Sequence, residues 1–519
     1  MIVCVGKDGG LMSKANKSPN KAERREKREK RKKAYEELQQ IRQEQGLKPF
    51  AKSTISNSIN ICKTVEDETA ERQNVIEGFV KVISPMLPTL LKDFAKINDP
   101  RKPKKIKHKL TVLLLYGILL FVFMMTSRRE GNRIIAMPML KENLRLLFPD
   151  IETIPHGDTL ERLLSIIDVE KIEEALVNQV RKLIKNKKFG KYLVGCGYMV
   201  AIDGTQKFAR NQCLADEYLA RHIKGQEEDQ YQYYVYILEA TLVFPNGLRI
   251  PLISELLEYT ENEQLNTKQD CELKAFYRLA GRLKAYFPKL SITILLDGLY
   301  ANGPVMAVCR NNNWGFMIVL QDKSLKTVWE EANALHKLND NKTFKNTWGD
   351  RHQSFWWVNE IEYYYGDNGR NKHILNVVVC EEEWKEVSKK SGMIEEKNSR
   401  HAWLSSKPIT RTNVLTRCNL VARNRWGIES NILVEKKQGY QYEHCFSENW
   451  KAMKGYHYLM RLGHFINSIA LKSIHLAEKV LVHGVRGLIA FIRNTLSGPW
   501  LNADHFKSFI IIKHQLRLE

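Results

Sequence analysis

Two acidic residues follow apolar runs in this chain of 519 residues. Asp203 comes after YMVAI, Asp297 comes after SITILL, and a glycine follows each aspartate. If both runs are strands of one open sheet, both carboxylates lie at the edge where ligands bind. Carboxylates held close together repel each other unless a cation lies between them, and an oxygen-only site suits Mg²⁺ or Mn²⁺. The pair therefore favours a metal site, although either aspartate alone is better explained as a cap of the following turn.

A third acid lies in the stretch RNRWGIESNILVEKK, residues 423–437. On a helix, Arg425, Glu429 and Lys436 share one face, because their spacings of four and seven residues are close to whole turns. Glu429 can complete a carboxylate site, and the two cations can hold phosphates beside it. An exposed helix with an i, i+4 ion pair explains the same residues about equally well when the stretch is taken alone.

The predicted secondary structure that positions these residues changes from helical to mixed α/β along the chain. Helical periodicity over 71–188 gives way to a βββαβαβ order, which predicts an α/β fold with an antiparallel three-strand start and parallel additions. A β-rich insert is predicted over 321–400, then a strand and one long helix over 412–437. The predicted strands are 198–203, 233–244, 248–258, 291–297 and 314–320, with helices over 268–287 and 302–312.

The charge balance indicates a polyanionic partner. The chain has 81 Lys and Arg against 59 Asp and Glu, a net charge of +22. Nucleic acid is the usual partner of such a protein. Residues 14–33 alone contain eleven Lys/Arg and three Glu. This segment is a solvated tail, either helical or irregular, a non-specific DNA-binding arm, or both.

Two other features narrow the class of protein. The nine cysteines form no CxxC pair, which argues against a disulfide framework or a zinc ribbon and fits a reducing cytosol. The uncharged run from Leu110 to Met125 is shorter than the roughly 20 residues of a membrane span, and basic residues flank it on both sides. A buried core helix is therefore favoured, with a membrane-anchored protein as the alternative.

The order of these features resembles that of the DDE transposases of bacterial insertion sequences, whose ribonuclease H-like domain carries a β-strand insert before the catalytic Glu. The resemblance covers Asp203 to Lys437, and its most specific part is the signature Arg425–Glu429–Lys436 after NRWGIE. The family signature has a tyrosine three residues before the arginine, where this chain has Ala422. That departure leaves the acids untouched but removes any role assigned to the tyrosine.

The resemblance implies a site, a reaction and partners. Asp203, Asp297 and Glu429 would be catalytic and would bind two divalent ions, Mg²⁺ or Mn²⁺, while Arg425 and Lys436 would hold DNA phosphates. The reaction would be phosphodiester cleavage at the element ends and transfer of the freed 3′-OH into target DNA. The partners would be double-stranded DNA, at terminal inverted repeats and target, and a second copy of the chain on that DNA. We expect a cytoplasmic, nucleoid-associated protein without a membrane partner.

Two alternatives stay open at this stage. One is a nuclease of the same fold that cuts without joining, and the other is a domesticated or inactive DNA-binding protein. Tryptophans 348, 356 and 357 in the insert would either stack on a flipped base or form the insert core. The predicted regions are a basic, largely disordered arm (1–70), a helical DNA-binding region (71–190), a ribonuclease H-like catalytic domain (195–320 and 401–440), the β-rich insert (321–400) and a basic helical C-terminal region (441–519).

Overall fold

The computed structural model describes residues 20–47, 62–149, 151–195, 197–223, 230–258, 270–338 and 343–519. These residues divide into two compact units. The arm–insert unit contains the described residues of 1–52, 341–356 and 379–401. The main unit contains those of 53–340, 357–378 and 402–519, and it includes every candidate site residue.

The arm–insert unit contains a basic helix, α1 (Lys21–Glu44). Asn20 and Glu23 form a capping box at its start, and Ala34 and Leu38 are buried against Val387 of the insert. The expectation of a largely disordered arm is therefore wrong for this segment. The reason is that the cap, several i, i+4 ion pairs and one apolar stripe together stabilise a helix that composition alone does not reveal. Residues 14–19 of the basic run lie outside the described residues.

Helices make up the first part of the main unit, in agreement with the periodicity. They are α2 (Val65–Ile83), α3 (Leu87–Phe94), α4 (Leu110–Val122), α5 (Arg128–Ile134), α6 (Pro138–Leu147), α7 (Gly157–Leu164) and α8 (Glu170–Lys185). All residues of α4 except Thr111 are buried, which confirms the prediction of a core helix. Across the described residues, no single helix has the length and apolarity of a membrane span; the bent pair α2 and α3 meets that test by length and composition alone.

A mixed sheet follows the helices. Its strands are β1 (Tyr198–Arg210), β2 (Leu219–His222), β3 (Tyr231–Val243), β4 (Arg249–Leu257), β5 (Ile292–Leu296) and β6 (Gly315–Val319). β5 runs parallel to both β1 and β6, whereas β3 pairs antiparallel with β1, β2 and β4. Helices α9 (Glu272–Tyr286) and α10 (Gly303–Asn311) precede β5 and β6. The predicted α/β class with a mixed sheet is confirmed, and the short strand β2 was not predicted.

The stretch predicted as a β-rich insert begins with a helix, α11 (Lys326–Leu338). Four strands follow it: β7 (Thr343–Trp348), β8 (Arg351–Tyr365), β9 (Asn371–Val387) and β10 (Ile394–Ser405). The prediction was wrong for α11, because its apolar residues recur with helical spacing and bury Val328, Trp329 and Ala332. β10 ends beside β6, antiparallel to it, and so returns the chain to the sheet of the main unit.

Four helices complete the main unit. They are α12 (Trp426–Lys437), α13 (Trp450–Leu471), α14 (Ala477–Leu496) and α15 (Ala503–Ile511). α13 is buried along most of its length and packs against α4, α8 and β4. A Cβ atom on Gly463 would lie 2.7 Å from Cβ of Phe121, so α13 and α4 approach too closely at this point for any other residue. The helical first part and the sheet therefore share one core around α13.

Candidate active site

The two predicted aspartates lie on neighbouring parallel strands. Ala201 of β1 stands opposite Leu295 of β5, and continuing that register by two residues places Asp203 beside Asp297. One part of the prediction was wrong, since Asp203 does not end its strand. β1 continues to Arg210 through its antiparallel pairing with β3, while its parallel partner β5 ends at Leu296. Asp203 therefore lies where the parallel pairing stops, although the strand itself continues.

Both aspartates also make the local hydrogen bonds expected of turn residues. Oδ1 of Asp297 accepts from the backbone N–H of Leu299 at 2.9 Å and caps the turn Gly298–Tyr300. Oδ1 of Asp203 accepts from the N–H of Gly204 at 3.0 Å. Asp297 therefore caps a turn, as the alternative explanation predicted. This hydrogen bond orients the Asp297 carboxylate beside Asp203 and involves only one of the two carboxylate oxygens of Asp297.

The predicted helix over 412–437 is not continuous. A π-helical segment (Thr416–Val421) and a 3₁₀ turn (Ala422–Arg425) precede α12. One side chain competes with the backbone here, since Nδ2 of Asn424 donates to the carbonyl of Leu420 at 2.7 Å. A side-chain bond to the carbonyl four residues earlier disfavours a regular helix. Nε of Arg423 donates to the side-chain Oδ1 of Asn419 at 3.2 Å. The irregular turn places Arg425 directly before α12.

Arg425 lies between two of the predicted acids. Its Nη2 is 2.8 Å from Oε1 of Glu429, and its Nη1 is 3.9 Å from Oδ2 of Asp203. The side chain of Arg425 is 10% exposed and that of Glu429 is 53% exposed, so the carboxylate of Glu429 lies at the solvent side of the pair. The predicted i, i+4 ion pair exists, and it faces the strand that carries Asp203.

Lys436 also faces β1, as the shared helix face predicts. Its Nζ donates to the carbonyl of Gln206 at 2.9 Å and lies 3.4 Å from Oε1 of Glu443. α12 therefore crosses β1, with Arg425 near Asp203 at one end and Lys436 near Gln206 at the other. In this arrangement the ammonium group binds protein atoms, and its contact with a phosphate stays a prediction.

The electrostatic environment of Asp203 is crowded with acids. Burial raises the pKa of this carboxyl, Arg425 opposes that effect, and Asp297, Glu429 and Glu272 raise the pKa further, to about 6. Three other carboxyl groups therefore act on Asp203, and Arg425 contacts only Asp203 and Glu429 among these acids. A region with this excess of negative charge and low solvent access stabilises a bound cation.

Glu272 is a fourth acid that the sequence analysis missed. It is the first residue of α9, and it accepts hydrogen bonds from the hydroxyls of Tyr236 and Tyr300 at 2.9 and 2.7 Å. A Cβ atom on residue 204 would lie 2.7 Å from Cδ of Glu272, so only glycine leaves room for this carboxylate beside Asp203. The three partners come from distant parts of the chain, and no local motif signals their contact.

A buried ion network next to the candidate site connects α12 to the sheet. Nη1 of Arg461 lies 3.1 Å from Oε1 of Glu435 on α12, and its Nη2 lies 3.1 Å from Oε2 of Glu239 on β3. Glu239 stands opposite Asp203 in the β1–β3 register. His464 contacts Glu435 at 2.6 Å. All four side chains are nearly or fully buried, so one guanidinium on α13 fixes α12 against the strand pair that carries Asp203.

The sequence contains a signal for this buried network, namely charged residues inside apolar runs. Glu239 interrupts the apolar run YILEATLVF, and Arg461 and His464 interrupt the apolar helix YLMRLGHFIN. A charge inside an apolar pattern is buried only when it is paired. Lys207 lies outside such a run, in the stretch TQKFAR, and its buried Nζ donates to the carbonyl of Tyr442 at 2.7 Å. Of the insert tryptophans, Trp356 and Trp357 are buried and Trp348 is 40% exposed.

The carboxylates do not form a ready set of metal ligands. Within the described ranges, no group of three or more His, Cys, Asp or Glu side chains is arranged to hold a metal ion. Glu429 is turned toward Arg425, so a guanidinium occupies the position between Glu429 and Asp203. The donor types nevertheless fit Mg²⁺ or Mn²⁺, because all are carboxylate oxygens. Burial raises the pKa of Asp203, and the neighbouring acids raise it further against the effect of Arg425.

Comparison with known proteins adds one observation. A family model described as DDE_Tnp_1-associated matches residues 91–180. This match indicates a DDE-type transposase family. It begins within α3, includes α4 to α7 and ends within α8, in the helical part that precedes the sheet, and it lies outside the candidate acids. No curated protein matches the chain. The match and the residue signature therefore point to a transposase-related function from two separate parts of the sequence.

Proposed function

We propose that this protein is a DNA transposase with a ribonuclease H-like catalytic domain. Its site, Asp203, Asp297 and Glu429, cleaves phosphodiester bonds at the ends of its element and transfers the freed 3′-OH into target DNA. The main support for this proposal is that β1, the turn after β5 and α12 bring the three acids into one region. Asp203 on β1 stands beside Asp297 after β5, and Arg425 links Asp203 to Glu429 at the start of α12.

The residues present suit divalent cations as the resident cofactor. Asp203, Asp297 and Glu429 would hold two ions, Mg²⁺ or Mn²⁺. Such ions supply activation of an attacking water or 3′-hydroxyl and stabilisation of the leaving oxygen. Glu429 is exposed enough to change partners, and Arg425 keeps it next to Asp203 until it does. The shared contacts of Arg425 make it the residue that couples α12 to β1.

The remaining residues serve DNA binding in this proposal. Arg425 and Lys436 contact the phosphates nearest the acids, since guanidinium and ammonium groups bind phosphate oxygens strongly. The exposed basic half of α1 supplies further phosphate contacts. The helices of 71–190 recognise the terminal inverted repeats. Two copies of the chain hold the two ends together on DNA, and the protein acts in the cytoplasm on the nucleoid.

A second candidate function is DNA binding without cleavage. The ion pair of Glu429 with Arg425, and the absence of a ready ligand set among the described residues, favour it. It differs from the first candidate in one measurable respect, since it predicts tight binding of the same DNA without metal-dependent products.

The test uses DNA that carries the sequences flanking this gene. The purified full chain is incubated with that DNA and a supercoiled target plasmid, in Mg²⁺ or in EDTA. Cutting at the gene borders and joined plasmid products, both only in Mg²⁺, support the transposase. Cutting without joined products supports a nuclease of the same fold. Tight binding with no product in any metal supports the DNA-binding protein.

A further inference from the structure

The carboxylate of Glu272 is held at both of its oxygens. Oε2 accepts from the hydroxyl of Tyr236 at 2.9 Å, and Oε1 accepts from that of Tyr300 at 2.7 Å. Tyr300 is fully buried, and Tyr236 is partly buried. Burial and then Glu272 raise the pKa of each phenol, so both hydroxyls keep their protons and donate. We call Glu272, Tyr236 and Tyr300 the tyrosine clamp.

The clamp connects the two backbone segments that carry the aspartates. Tyr236 lies on β3 opposite Gln206, on the part of β1 that follows Asp203. Tyr300 lies in the short turn that Asp297 caps. The clamp also packs on the backbone between these points, because a Cβ atom on Gly204 would lie 2.6 Å from Oη of Tyr236. Each hydrogen bond of the clamp therefore joins Glu272 to a segment next to one of the aspartates.

We propose that Glu272 is a positioning residue that sets the separation of Asp203 and Asp297, and thereby the affinity of the site for divalent cations. This inference rests on the proposed function, since it takes the two aspartates as cation ligands. Glu272 acts through the two tyrosines. With both oxygens engaged by phenols, its carboxylate holds the β1–β3 pair and the turn after β5 in one arrangement.

The competing explanation is that the clamp only stabilises the fold. The chain offers a matched control for this explanation. Tyr458 is buried and donates to Oε2 of Glu170 at 2.7 Å, a tyrosine–glutamate hydrogen bond of the same length among the helices. Removing either kind of hydroxyl leaves the charge of the protein unchanged. If only the clamp variants lose cation affinity, the loss results from a changed position of the aspartates. A change of charge or of general stability would not explain it.

The experiment is a Mn²⁺ titration of the full chain by calorimetry, alone and with DNA that carries the sequences flanking this gene, together with the thermal unfolding midpoint of the chain. The variants are Tyr236→Phe, Tyr300→Phe, their double variant and the control Tyr458→Phe. We expect each clamp variant to bind Mn²⁺ about fivefold more weakly, the ratio given by ~1 kcal/mol for one hydrogen bond. The double variant binds more weakly than either single variant. Tyr458→Phe lowers the unfolding midpoint by a similar amount and keeps the affinity of the wild type.

The outcomes separate this inference from the proposed function. Unchanged Mn²⁺ affinity in all clamp variants, with binding intact in the wild type, overturns the positioning role and leaves the proposed function standing. Equal losses of affinity in the clamp variants and in Tyr458→Phe also overturn it, because the effect is then general. No Mn²⁺ binding by the wild type, with or without DNA, overturns both.

Discussion

Nη2 of Arg425 lies 2.8 Å from Oε1 of Glu429, one helical turn further along the chain. The same guanidinium reaches toward Asp203, so it lies where positive charge is most needed among the acids. The positive charge of Arg425 reduces the repulsion between the carboxylates of Asp203 and Glu429 when no cation is bound. If a divalent cation binds as proposed, Glu429 would have to leave Arg425 to contact it.

Arg425 gives the first prediction. We expect Arg425→Gln to lower the rate of metal-dependent DNA cleavage about a hundredfold, because it removes both the contact that aligns Glu429 and a cation beside the phosphate. Single-turnover cleavage measures this effect. Arg423→Gln is the control, since Arg423 lies in the same 3₁₀ turn but contacts Asn419 and the ring of Trp403. Equal losses in the two variants would show that Arg425 has no special role.

The buried network gives the second prediction. Arg461→Met leaves Glu239 and Glu435 buried without their shared cation, and we expect it to lower the free energy of unfolding by about 3–5 kcal/mol. Urea unfolding monitored by circular dichroism measures the change. Adding Glu239→Gln and Glu435→Gln to Arg461→Met restores part of the loss, because the uncompensated charges are then gone. A small loss in Arg461→Met, similar to that of the exposed-site variant Arg25→Met, would contradict this account.

Lys207 gives a prediction about pH. Burial lowers the pKa of its ammonium group from 10.5 to about 8, against the opposing effect of Glu239 and Glu435. Between these values the unfolded chain carries a proton that the folded chain has lost, so folding stability gains from this group as the pH rises. We expect the free energy of unfolding of the wild type, relative to Lys207→Met, to increase by up to ~3 kcal/mol from pH 8 to 10.5. If the difference in unfolding free energy between the wild type and Lys207→Met stays constant from pH 8 to 10.5, the pKa of Lys207 is not lowered in the folded chain.

The basic helix α1 gives a prediction about DNA. Within the described chain, Arg24, Lys27 and Arg28 are exposed and have no ion-pair partner, whereas Arg25, Lys30 and Lys32 pair with glutamates of the same helix. We expect replacement of the first three by Gln to lower the salt dependence of DNA binding by about three units on a log–log plot. Fluorescence anisotropy at several salt concentrations measures the slope.

The matched control for that experiment is the triple Gln variant of the paired cations. Its effect on the slope should be smaller, because those charges are already partly neutralised and their loss releases the glutamates. If both triple variants leave the slope at its wild-type value, α1 does not contact DNA phosphates.

Much of the sheet was predictable because its signals are local. Apolar runs of strand length, the turn at residues 245–247 and the helical periodicity around 272–286 each depend on near neighbours. The register that brings Asp203 beside Asp297 follows from the parallel order. The end of β1 was wrong because antiparallel pairing with β3 extends it beyond its parallel partner.

The missed features depend either on contacts between distant parts of the chain or on local side-chain geometry. Glu272 meets Tyr236 and Tyr300 only after α9, β3 and the turn after β5 pack together. In the irregular turn before α12, the side chain of Asn424 binds the carbonyl of Leu420, within a stretch whose sequence predicts one continuous helix. The pairing of Glu429 with Arg425 was one of two outcomes that the sequence spacing predicted, and the choice between them is a rotamer choice that spacing does not determine.

The most direct test of the central claim is metal-dependent cleavage of DNA with the gene's flanking sequences by single-acid variants. Asp203→Asn, Asp297→Asn and Glu429→Gln are compared in Mg²⁺ with Glu362→Gln, an exposed acid paired with Lys372 outside the site. The account predicts that each of the three loses cleavage by about a thousandfold or more while DNA binding persists, and that Glu362→Gln retains the wild-type rate. Wild-type cleavage in any of the three variants would contradict the claim that these carboxylates form one catalytic site.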